Sequence, residues 1–368
     1  MVNKLEGDVL DDYPDLPPFP TDIPIAPLPR ISLGKLLQND EAATEQLYTI
    51  CKDLGFFYLY LNDSDAGKSL LNETQSLFSI QDEVFDRSLE DWKPYDFKER
   101  GTYLGYKAKG AAIVDYQGNV DRNESFAISK DDLLGTGERL PAPPTVDNHR
   151  DLLASFARDS HSVTMLILRI LNDKLKLPEG TLQSFHKLES PSGDAIRFNR
   201  VPAQPIDDRR TSMGGHSDFG SVTVLFNRLG GLQILPPGTP ARDDSKWLWV
   251  RPLPNHCIIN LGDALVKFTN GLLRSNIHRV MAPPGDQGDL TRYSVIYFSK
   301  PLHGTLMKRL DGSDVIPPLS AEQIEEDISS QEWGKRRLLG PRLDLHQLKD
   351  MDWQKIRGTE KLSQRLKV

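Results

Sequence analysis

The chain has 368 residues, of which 38% are hydrophobic and 26% are charged, the balance of an ordinary globular protein. Its formal net charge of -7 and pI of about 5.7 argue against a nucleic-acid partner, because phosphate contacts need clustered Lys and Arg. The acidic N-terminal segment does not resemble a signal peptide, and no window approaches the ~18 apolar residues of a membrane-spanning helix. Cys51 and Cys257 lie in apolar runs, which is typical of core residues in a reducing compartment. Composition therefore predicts a cytoplasmic protein without a membrane partner.

The N-terminal part of the chain is predicted to begin with an extended arm, followed by a helix and a strand. Seven prolines within residues 14–29 exclude regular secondary structure there. Either Asn39 or Asp40 can cap the helix that follows, and Gly55 suits the left-handed position after its last turn. The run FFYLYL (56–61) then predicts one buried strand.

Two longer helices are predicted on either side of an irregular region. Apolar residues recur at helical spacing over residues 66–85, and again after the PAPP segment (141–144) up to about residue 172. Residues 93–139 are rich in Gly, Asp and Lys and have little periodicity. We therefore predict loops with short strands between the two helices.

The pattern changes after Leu188, where short apolar runs alternate with turn signals up to Pro301. The runs are AIRFNRV, SVTVLFN, GLQIL, WLWVRPL, CIINL and RYSVIYF. Short strands at this density are typical of a β-sandwich or jelly roll. Residues 320–368 are charged and helical by composition, with Trp333 and Trp353 as predicted anchors.

A short motif before the second of these runs contains candidate metal ligands. The sequence GGHSDFG places His216 and Asp218 two residues apart, and on an extended strand both side chains would point into one space. His278, in SNIHRV, lies 60 residues after Asp218 and is predicted on a later strand of the same pair of sheets. Two histidines and one carboxylate are the ligand set of non-haem Fe(II) sites that keep open positions.

Two other interpretations of these residues stay open on spacing alone. A lone histidine in a strand is more often a hydrogen-bonded core residue than a ligand, and HxD occurs by chance in many chains. A hydrolytic zinc site also takes two histidines and a carboxylate, although the helical HExxH pattern is absent from this sequence. The spacing therefore favours a metal site without deciding the metal.

The last apolar run begins with a candidate anion-binding pair. Arg292 and Ser294 project from one face of a strand whose pattern is otherwise that of a buried strand. A buried guanidinium is costly unless it is paired, and the strand offers no acidic residue on that face before Lys300. A bidentate ligand carboxylate would satisfy it, as would an internal salt bridge with a distant Asp or Glu.

An ordered set of motifs closely resembles a known family. HxD, GGLQ, NLGD, TNG, HRV and RYS, across roughly residues 190–300, are similar to the isopenicillin-N-synthase-like branch of the 2-oxoglutarate- and iron-dependent oxygenases. In the N-terminal half, CKDLGFFYL (51–59) and DRNESF (121–126) resemble that family's helix-to-strand join and its charged segment before the long helix. The resemblance covers most of residues 20–305.

The resemblance implies an α+β fold with a double-stranded β-helix, or jelly-roll, core flanked by helices. It divides the chain into an N-terminal helical and strand region (20–187), the jelly-roll core (188–304) and a C-terminal helical tail (305–368). In this alignment Gly262 and Asp263 have structural roles, with Asp263 capping backbone N–H groups of a turn. For Phe219, Tyr297 and Phe298, core packing is favoured over lining a pocket.

The resemblance also implies roles for individual side chains. His216, Asp218 and His278 would bind iron, while Arg292 would pair with the distal carboxylate of 2-oxoglutarate and Ser294 would hydrogen-bond to it.

The metal-proximal end of the cosubstrate is assigned less directly. Asn199 stands where family members often carry an Asn that holds this end. Many relatives have a Tyr two residues later, whereas this chain has Val201, so Arg197 or Arg200 is an alternative.

The implied cofactors are Fe(II), 2-oxoglutarate and O2, with ascorbate as a candidate reductant. The implied reaction is the oxidation of a small organic molecule, as in secondary metabolism, by hydroxylation, desaturation or ring rearrangement, with release of succinate and CO2. The small-molecule substrate is the expected partner, and the sequence leaves the oligomeric state open. The alternatives are an iron oxidase of the same branch that does not use 2-oxoglutarate, and a non-catalytic jelly-roll protein that binds a ligand.

Overall fold

The computed structural model describes residues 12–115, 118–239 and 243–339. The strands are β1 (Arg30–Ser32), β2 (Phe56–Tyr60), β3 (Gly105–Lys107), β4 (Glu124–Ser129), β5 (Ala195–Val201), β6 (Thr211–His216), β7 (Val222–Asn227), β8 (Leu232–Ile234), β9 (Leu248–Trp249), β10 (His256–Leu261), β11 (His278–Met281) and β12 (Arg292–Ser299). The α-helices are α1 (Leu33–Leu37), α2 (Glu41–Asp53), α3 (Asp65–Phe85), α4 (Leu89–Trp92), α5 (Lys130–Leu133), α6 (Pro144–Asn148), α7 (Arg150–Lys174), α8 (Thr181–Ser184), α9 (Asp263–Phe268) and α10 (Ser330–Leu339). Among the described residues, none of these helices is long and apolar enough to cross a membrane.

The proline-rich arm is extended and lies against the body of the protein, as predicted. Ile25 forms a β-bridge with Trp249 in the edge strand β9. Further back along the arm, the Pro17 carbonyl accepts a hydrogen bond from Gln287 Nε2 at 2.8 Å, and Phe19 is buried. The arm therefore covers one edge of the smaller of the two sheets described below, where an open strand would otherwise invite pairing with another chain.

The join between α2 and β2 forms as predicted, with Asp40 as the cap. Its side chain accepts a hydrogen bond from Ala43 N at 2.8 Å, which satisfies one of the free N–H groups of the first turn. Gly55 follows the helix with φ of +70°, and an added Cβ would lie 2.1 Å from the carbonyl oxygen of Arg274. Glycine is therefore required here both by the left-handed backbone and by the close approach of a second segment.

The two long helices, α3 and α7, form where helical periodicity predicts them. Helix α3 begins one residue before the predicted range 66–85, and α7 ends two residues beyond residue 172. The region between them contains β3, β4 and several short helices, which is close to the predicted loops with short strands. Helix α7 packs against α3 and over β5, β7 and β12. The helices thus cover one face of the larger sheet.

Two facing sheets form the centre of the fold. The larger has the strand order β1-β2-β10-β7-β12-β5-β4-β3, and the smaller has the order β6-β11-β8-β9. Only β1 and β2 pair in parallel among the described strands; the other pairs are antiparallel. The predicted jelly roll flanked by helices is confirmed, with the addition that β1 to β4 extend its larger sheet.

Most of strand β6 is missing from the sequence prediction, which places a strand only around His216 and Asp218, and the sequence of β6 explains why. TSMGGH contains two glycines and little apolar alternation, so it does not resemble a strand. A Cβ on Gly214 would lie 2.6 Å from the carbonyl oxygen of Val114, so the glycine permits close packing. Strand β6 also ends at His216, and Asp218 therefore lies in the loop after the strand, contrary to the prediction that both residues share it.

Apolar side chains from both sheets meet in the interior on one side of the fold. Phe56, Tyr58 and Ile258 of the larger sheet pack with Leu232 and Ile234 of the smaller sheet. Beyond this cluster the facing surfaces separate into a cavity whose lining is partly polar. The larger core lies on the other face of the larger sheet, between it and the helices.

In its described part, which ends at residue 339, the C-terminal segment is less helical than predicted. Residues 301–329 contain turns and isolated bridges, and α10 begins only at Ser330. Trp333 is partly buried against the core, in agreement with its predicted anchoring role. Trp353 lies outside the described residues.

Replacing Gly55 with Ala is expected to lower the free energy of unfolding by at least about 2 kcal/mol. The left-handed backbone alone costs a residue with a Cβ about 1–2 kcal/mol, and the clash with the Arg274 carbonyl adds to it. Gly101→Ala is the control, since Gly101 has φ of +62° and open space around its Cβ position. Urea unfolding midpoints measure both variants; equal losses would show that the close approach carries no cost.

Candidate metal centre

Three side chains able to bind a metal meet at the end of the smaller sheet. His216 is the last residue of β6, His278 is the first residue of β11, and the two are paired in the antiparallel register. Asp218 follows two residues after His216. Residues 60 positions apart in the sequence are thus brought together by strand pairing, and all three predicted ligands face one cavity.

The distances among the three side chains suit a single ion. Asp218 Oδ1 lies 3.9 Å from Nε2 of His216 and 3.9 Å from Nε2 of His278. One ligand atom from each residue can be chosen so that all lie within 4.8 Å of one another. Phe56 packs edge-on against the ring of His278, with centroids 5.3 Å apart, and so limits its rotation.

Backbone carbonyls orient both imidazole rings. His216 Nδ1–H donates to the carbonyl oxygen of Gly214 at 2.9 Å, and His278 Nδ1–H donates to that of Asn276 at 3.2 Å. With Nδ1 protonated in each ring, the lone pair is on Nε2, the atom that faces Asp218. Such hydrogen bonds are the usual means by which proteins fix the tautomer of a metal-binding histidine.

The carboxylate of Asp218 is oriented in the same way. Its Oδ2 accepts hydrogen bonds from Thr223 Oγ1 at 2.6 Å and from Asn260 Nδ2 at 2.8 Å. Both donors lie on the larger sheet, on the neighbouring strands β7 and β10. Oδ1 is left facing the two Nε2 atoms. Residues of the larger sheet therefore orient Asp218, which follows a strand of the smaller sheet.

The pKa shifts of His216 and Asp218 favour the forms that bind a metal at neutral pH. About 33% of the His216 side chain is exposed to the cavity, yet the surrounding protein desolvates the ring and lowers its pKa to about 4. Burial alone would raise the pKa of Asp218. The neighbouring His278 and His216, with hydrogen bonds from Asn260 and Thr223, outweigh it and hold this pKa below its ordinary value. Neutral imidazole and ionised carboxylate are the forms that bind metals.

The side chain between His216 and Asp218 is hydrogen-bonded to Asp263. Ser217 Oγ donates to Asp263 Oδ2 at 3.0 Å, and the same oxygen accepts a hydrogen bond from Arg337 of α10 at 2.9 Å. The backbone N–H of Asp263 donates to the Asp218 carbonyl at 2.7 Å. Asp263 therefore joins the ligand loop to the C-terminal helix, a role that goes beyond the predicted turn cap.

The far end of the cavity carries the predicted anion-binding pair. Arg292 and Ser294 are 2% and 1% exposed, and both line the cavity. Arg292 Nε donates to the carbonyl oxygen of Gly230 at 2.7 Å, while Gly231, with φ of +116°, would place a Cβ 3.1 Å from the arginine side chain. Gly231 therefore makes room for the arginine side chain.

Arg292 has no acidic partner within the described ranges, where no carboxylate oxygen lies within 4.0 Å of it. Burial lowers its pKa to about 10, so the guanidinium is still charged at neutral pH. The internal salt bridge that was the alternative from sequence is thus not seen among these residues. A buried cation without a counter-ion is the condition under which a ligand carboxylate binds strongly.

Strand β5 separates the three residues considered for the metal-proximal end of the cosubstrate. Asn199 and Arg197 line the cavity, and Asn199 Nδ2 lies 3.5 Å from Ser294 Oγ. Arg200 is on the opposite face, where its Nε donates to Glu124 at 2.7 Å. The alternative role for Arg200 is therefore wrong, because strand alternation directs it away from the cavity.

Comparisons with known proteins agree with this geometry. Residues 192–301 match the family model for the 2OG-Fe(II) oxygenase superfamily. The chain is 32% identical over 352 residues to a 2-oxoglutarate-dependent dioxygenase of Aspergillus fumigatus, and the match covers 90% of each chain. The chain belongs to the 2OG-Fe(II) oxygenase superfamily. A second relative, the 2-oxoglutarate-dependent dioxygenase frbH of Dothideomycetidae sp., is 31% identical over 78% of this chain and 86% of its own.

Solved structures show the same fold. The oxygenase superposes with a TM-score of 0.69 on a full-length Neurospora crassa protein solved in complex with alpha-KG and 5-formyluracil. The match covers 84% of this chain and 95% of that chain at 21% identity. The family resemblance inferred from the motifs is confirmed, and with it an enzyme that uses Fe(II), 2-oxoglutarate and O2 to oxidise a small molecule.

The oxygenase differs from the sequence prediction in the use of its aromatic residues. Tyr297 is buried and donates to Asp194 Oδ2 at 2.7 Å, as a core residue would. Phe219 and Phe298 line the cavity instead, so the prediction of core packing is wrong for these two. Both lie close to the metal-binding or anion-binding residues in the sequence, which is the signal that could have identified them.

Other lining residues of the oxygenase were not predicted from its sequence. Thr223 and Asn260 face the cavity from strands whose sequences resemble apolar core, and no motif distinguishes their polar groups. Lys300 also lines the cavity. It continues the alternation of Arg292 and Ser294, because every second residue from 292 to 300 faces the cavity. Extending that alternation along the strand would have found it.

Thr223→Val is expected to weaken divalent metal binding about 10- to 100-fold, the usual effect of removing a partner that orients a ligand. The substitution keeps the side-chain shape but removes the hydroxyl that bonds Asp218 Oδ2. Thr269→Val is the matched control, because Thr269 is buried directly after α9 and its hydroxyl donates to the Leu265 carbonyl. Anaerobic calorimetric titration with Fe(II) measures both; unchanged affinity in Thr223→Val would contradict the orienting role.

Proposed function

We propose that His216, Asp218 and His278 are the iron ligands of this dioxygenase, and that Arg292 and Ser294 bind the distal carboxylate of 2-oxoglutarate. The observation that carries the proposal is the arrangement of the cavity. Its wall from the smaller sheet presents two imidazole Nε2 atoms beside one carboxylate oxygen. Its wall from the larger sheet presents a buried guanidinium without an acidic partner in the described ranges.

The residues fit the metal as well as the cosubstrate. Two neutral imidazoles and one carboxylate, oriented by carbonyls and by two side-chain donors, form the ligand type that suits Fe(II) with open positions. Fe(II) bound there would supply the oxidising chemistry with O2, coupled to conversion of 2-oxoglutarate into succinate and CO2. The chain's own contribution is to hold these ligands in place, keep water out and present the substrate carbon to the metal.

Asn199 supports the positioning of 2-oxoglutarate. Its Oδ1 is buried without a hydrogen-bond partner among the described residues, and its Nδ2 lies at the limit of hydrogen bonding to Ser294 Oγ. An amide with unused bonding capacity between the metal ligands and Arg292 is suited to a polar ligand. We assign it to the cosubstrate, in line with the family pattern.

The cavity lining points to a small organic substrate with apolar surface. Phe219, Phe298, Leu225 and Ile296 lie around the polar groups, as in most small-molecule sites. A secondary metabolite fits this description. Two free, buried cysteines further support a reducing compartment, which we take to be the cytoplasm. The division into regions 20–187, 188–304 and 305–368 stays a prediction.

His216→Ala and Asp218→Ala are each expected to abolish 2-oxoglutarate-dependent oxygen uptake while leaving the far-UV circular dichroism spectrum unchanged. Either substitution removes one of three ligands, and neither side chain contributes to an apolar core. An oxygen electrode and a succinate assay on the Fe(II)-loaded protein measure the loss. Retention of succinate formation by His216→Ala would remove that residue from the metal site.

Arg292→Ala is expected to raise the KM for 2-oxoglutarate about tenfold to a hundredfold, the cost of losing hydrogen bonds to a charged group. Turnover at saturating cosubstrate should fall less, because the metal ligands are intact. Arg210→Ala is the control, since Arg210 pairs with Asp208 on an exposed loop. Initial rates over a series of 2-oxoglutarate concentrations measure the KM of each variant. A KM equal to that of the unaltered enzyme would refute the pairing of Arg292 with 2-oxoglutarate.

A further inference from the structure

A second pair of cations lies in the cavity, apart from Arg292. Arg197 of β5 and Lys300, directly after β12, both line the cavity that holds the metal ligands. Strand register separates them from the cosubstrate arginine. Arg292 pairs with Val201, and Ile296 pairs with Arg197, so the two arginines are four residues apart along the sheet, or about 13 Å.

The two cations share one aromatic surrounding. The guanidinium carbon of Arg197 lies 4.9 Å from the ring centre of Phe298 and 5.9 Å from that of Tyr103. Lys300 Nζ lies 3.5 Å from the ring centre of Tyr103 and 4.8 Å from that of Phe219. Ring faces attract cations, but more weakly than a carboxylate would in a desolvated site.

Neither cation has an acidic partner in the part of the chain that the structure describes, where no carboxylate oxygen comes within 4.0 Å of either. Lys300 Nζ donates to the Gly193 carbonyl at 2.8 Å. The Arg197 guanidinium makes no hydrogen bond to these residues, and its Nε is buried. Arginine has five N–H donors in a planar fork, so a group of this kind facing a cavity is built to receive a planar anion.

Electrostatics at this pair agree with the geometry. Burial lowers the pKa of Arg197, and burial together with the nearby Arg197 charge lowers the pKa of Lys300 well below its usual range. The two like charges repel each other, and the opposing charges of Asp218 and, for Lys300, Asp194 do not outweigh burial. A bound carboxylate would relieve that repulsion and favour the charged form of both groups.

The position of the pair distinguishes a substrate site from a cosubstrate site. Lys300, Tyr103 and Phe219 also line a second, outer cavity, next to Trp333 of α10. Lys300 therefore lies where the two cavities meet, beside Arg197, whereas Arg292 lies about 13 Å along the sheet from Arg197. 2-Oxoglutarate is a five-carbon diacid, and once Arg292 holds it, its binding does not require two more cations and three aromatic rings.

From this placement we infer that Arg197 and Lys300 bind the carboxylate of the substrate, which is an organic acid with an apolar or aromatic ring body. The rings of Tyr103, Phe219 and Phe298 would pack against that body. The inference rests on the proposed function, because it takes the ligand of this cavity to be the compound that is oxidised. It narrows the substrate class from small organic molecules to organic anions.

The test is a calorimetric titration of the full chain, loaded with Fe(II) and saturating 2-oxoglutarate without oxygen. The probes are phenylacetate and phenylacetamide, which have the same ring and differ in charge. Saturating 2-oxoglutarate prevents the acid from binding at Arg292. We expect phenylacetate to bind at least about tenfold more tightly than the amide, the usual advantage of charge-assisted hydrogen bonds.

Arg197→Gln and Lys300→Met are each expected to reduce this preference for the acid to less than about threefold while keeping the affinity for 2-oxoglutarate. The controls are Arg200→Gln, on the other face of β5, and Lys308→Gln on the surface, and both should keep the preference. Equal binding of acid and amide by the unaltered enzyme, or no binding of either, would overturn the inference. Loss of 2-oxoglutarate affinity in Arg197→Gln would also overturn it, by assigning that arginine to the cosubstrate.

Stability provides a readout that does not depend on activity. Lys300→Met removes a desolvated charge, so its thermal midpoint should equal or exceed that of the unaltered protein. A clearly lower midpoint would show that Lys300 holds the fold and not a ligand. If the unaltered protein fails to bind 2-oxoglutarate, the proposed function fails. The preference for phenylacetate over phenylacetamide in the metal-free protein, compared with that in its Arg197→Gln variant, then still decides whether the anion site exists.

Discussion

The antiparallel pairing of β6 with β11 is the interaction on which the rest of the site depends. It sets His216 directly opposite His278 and thereby joins two parts of the chain, neither of which carries all three candidate ligands. Because side chains in a strand alternate between faces, a shift of one residue in this register would turn one imidazole out of the cavity. Gly214 allows the close packing that holds β6 in place against Val114. The backbone hydrogen bonds between β6 and β11 thus set the positions of the two histidines of the candidate metal centre, independently of any bound metal.

The larger sheet contributes the remaining polar groups of the site. Thr223 and Asn260 align the carboxylate of Asp218 from the facing wall, and Arg292 lies on that same wall at the distal end. The two sheets therefore contribute different groups. The smaller sheet carries the two imidazoles, and the larger sheet orients the Asp218 carboxylate and carries Arg292, the proposed anion-binding residue. A change in the distance between the sheets would alter every one of these contacts together. The apolar cluster around Tyr58 keeps that distance fixed.

Much of this arrangement could be predicted from the sequence, and the failures have physical causes. Local signals identified α2, α3 and α7, because caps and apolar periodicity lie within a few residues of each other. Ordered motifs singled out His216, His278 and Arg292, which the fold brings to one cavity. Most of strand β6 was missed because Gly214 allows a contact with residue 114, about 100 positions away, which no local pattern records. The cavity-facing roles of Phe219 and Lys300 likewise depend on which face of a sheet is hollow, a property of the assembled fold.

The hydrogen bonds from Ser217 and Arg337 to Asp263 have a consequence for how the protein can be divided. Arg337 belongs to α10, and Asp263 holds the backbone of the loop that carries Asp218. A fragment that stopped at the end of the jelly roll would lose this guanidinium and its ion pair with the buried carboxylate of Asp263. The strands of the jelly roll are therefore not a self-sufficient catalytic unit. Expression boundaries and domain swaps in this protein should keep helix α10 with the core.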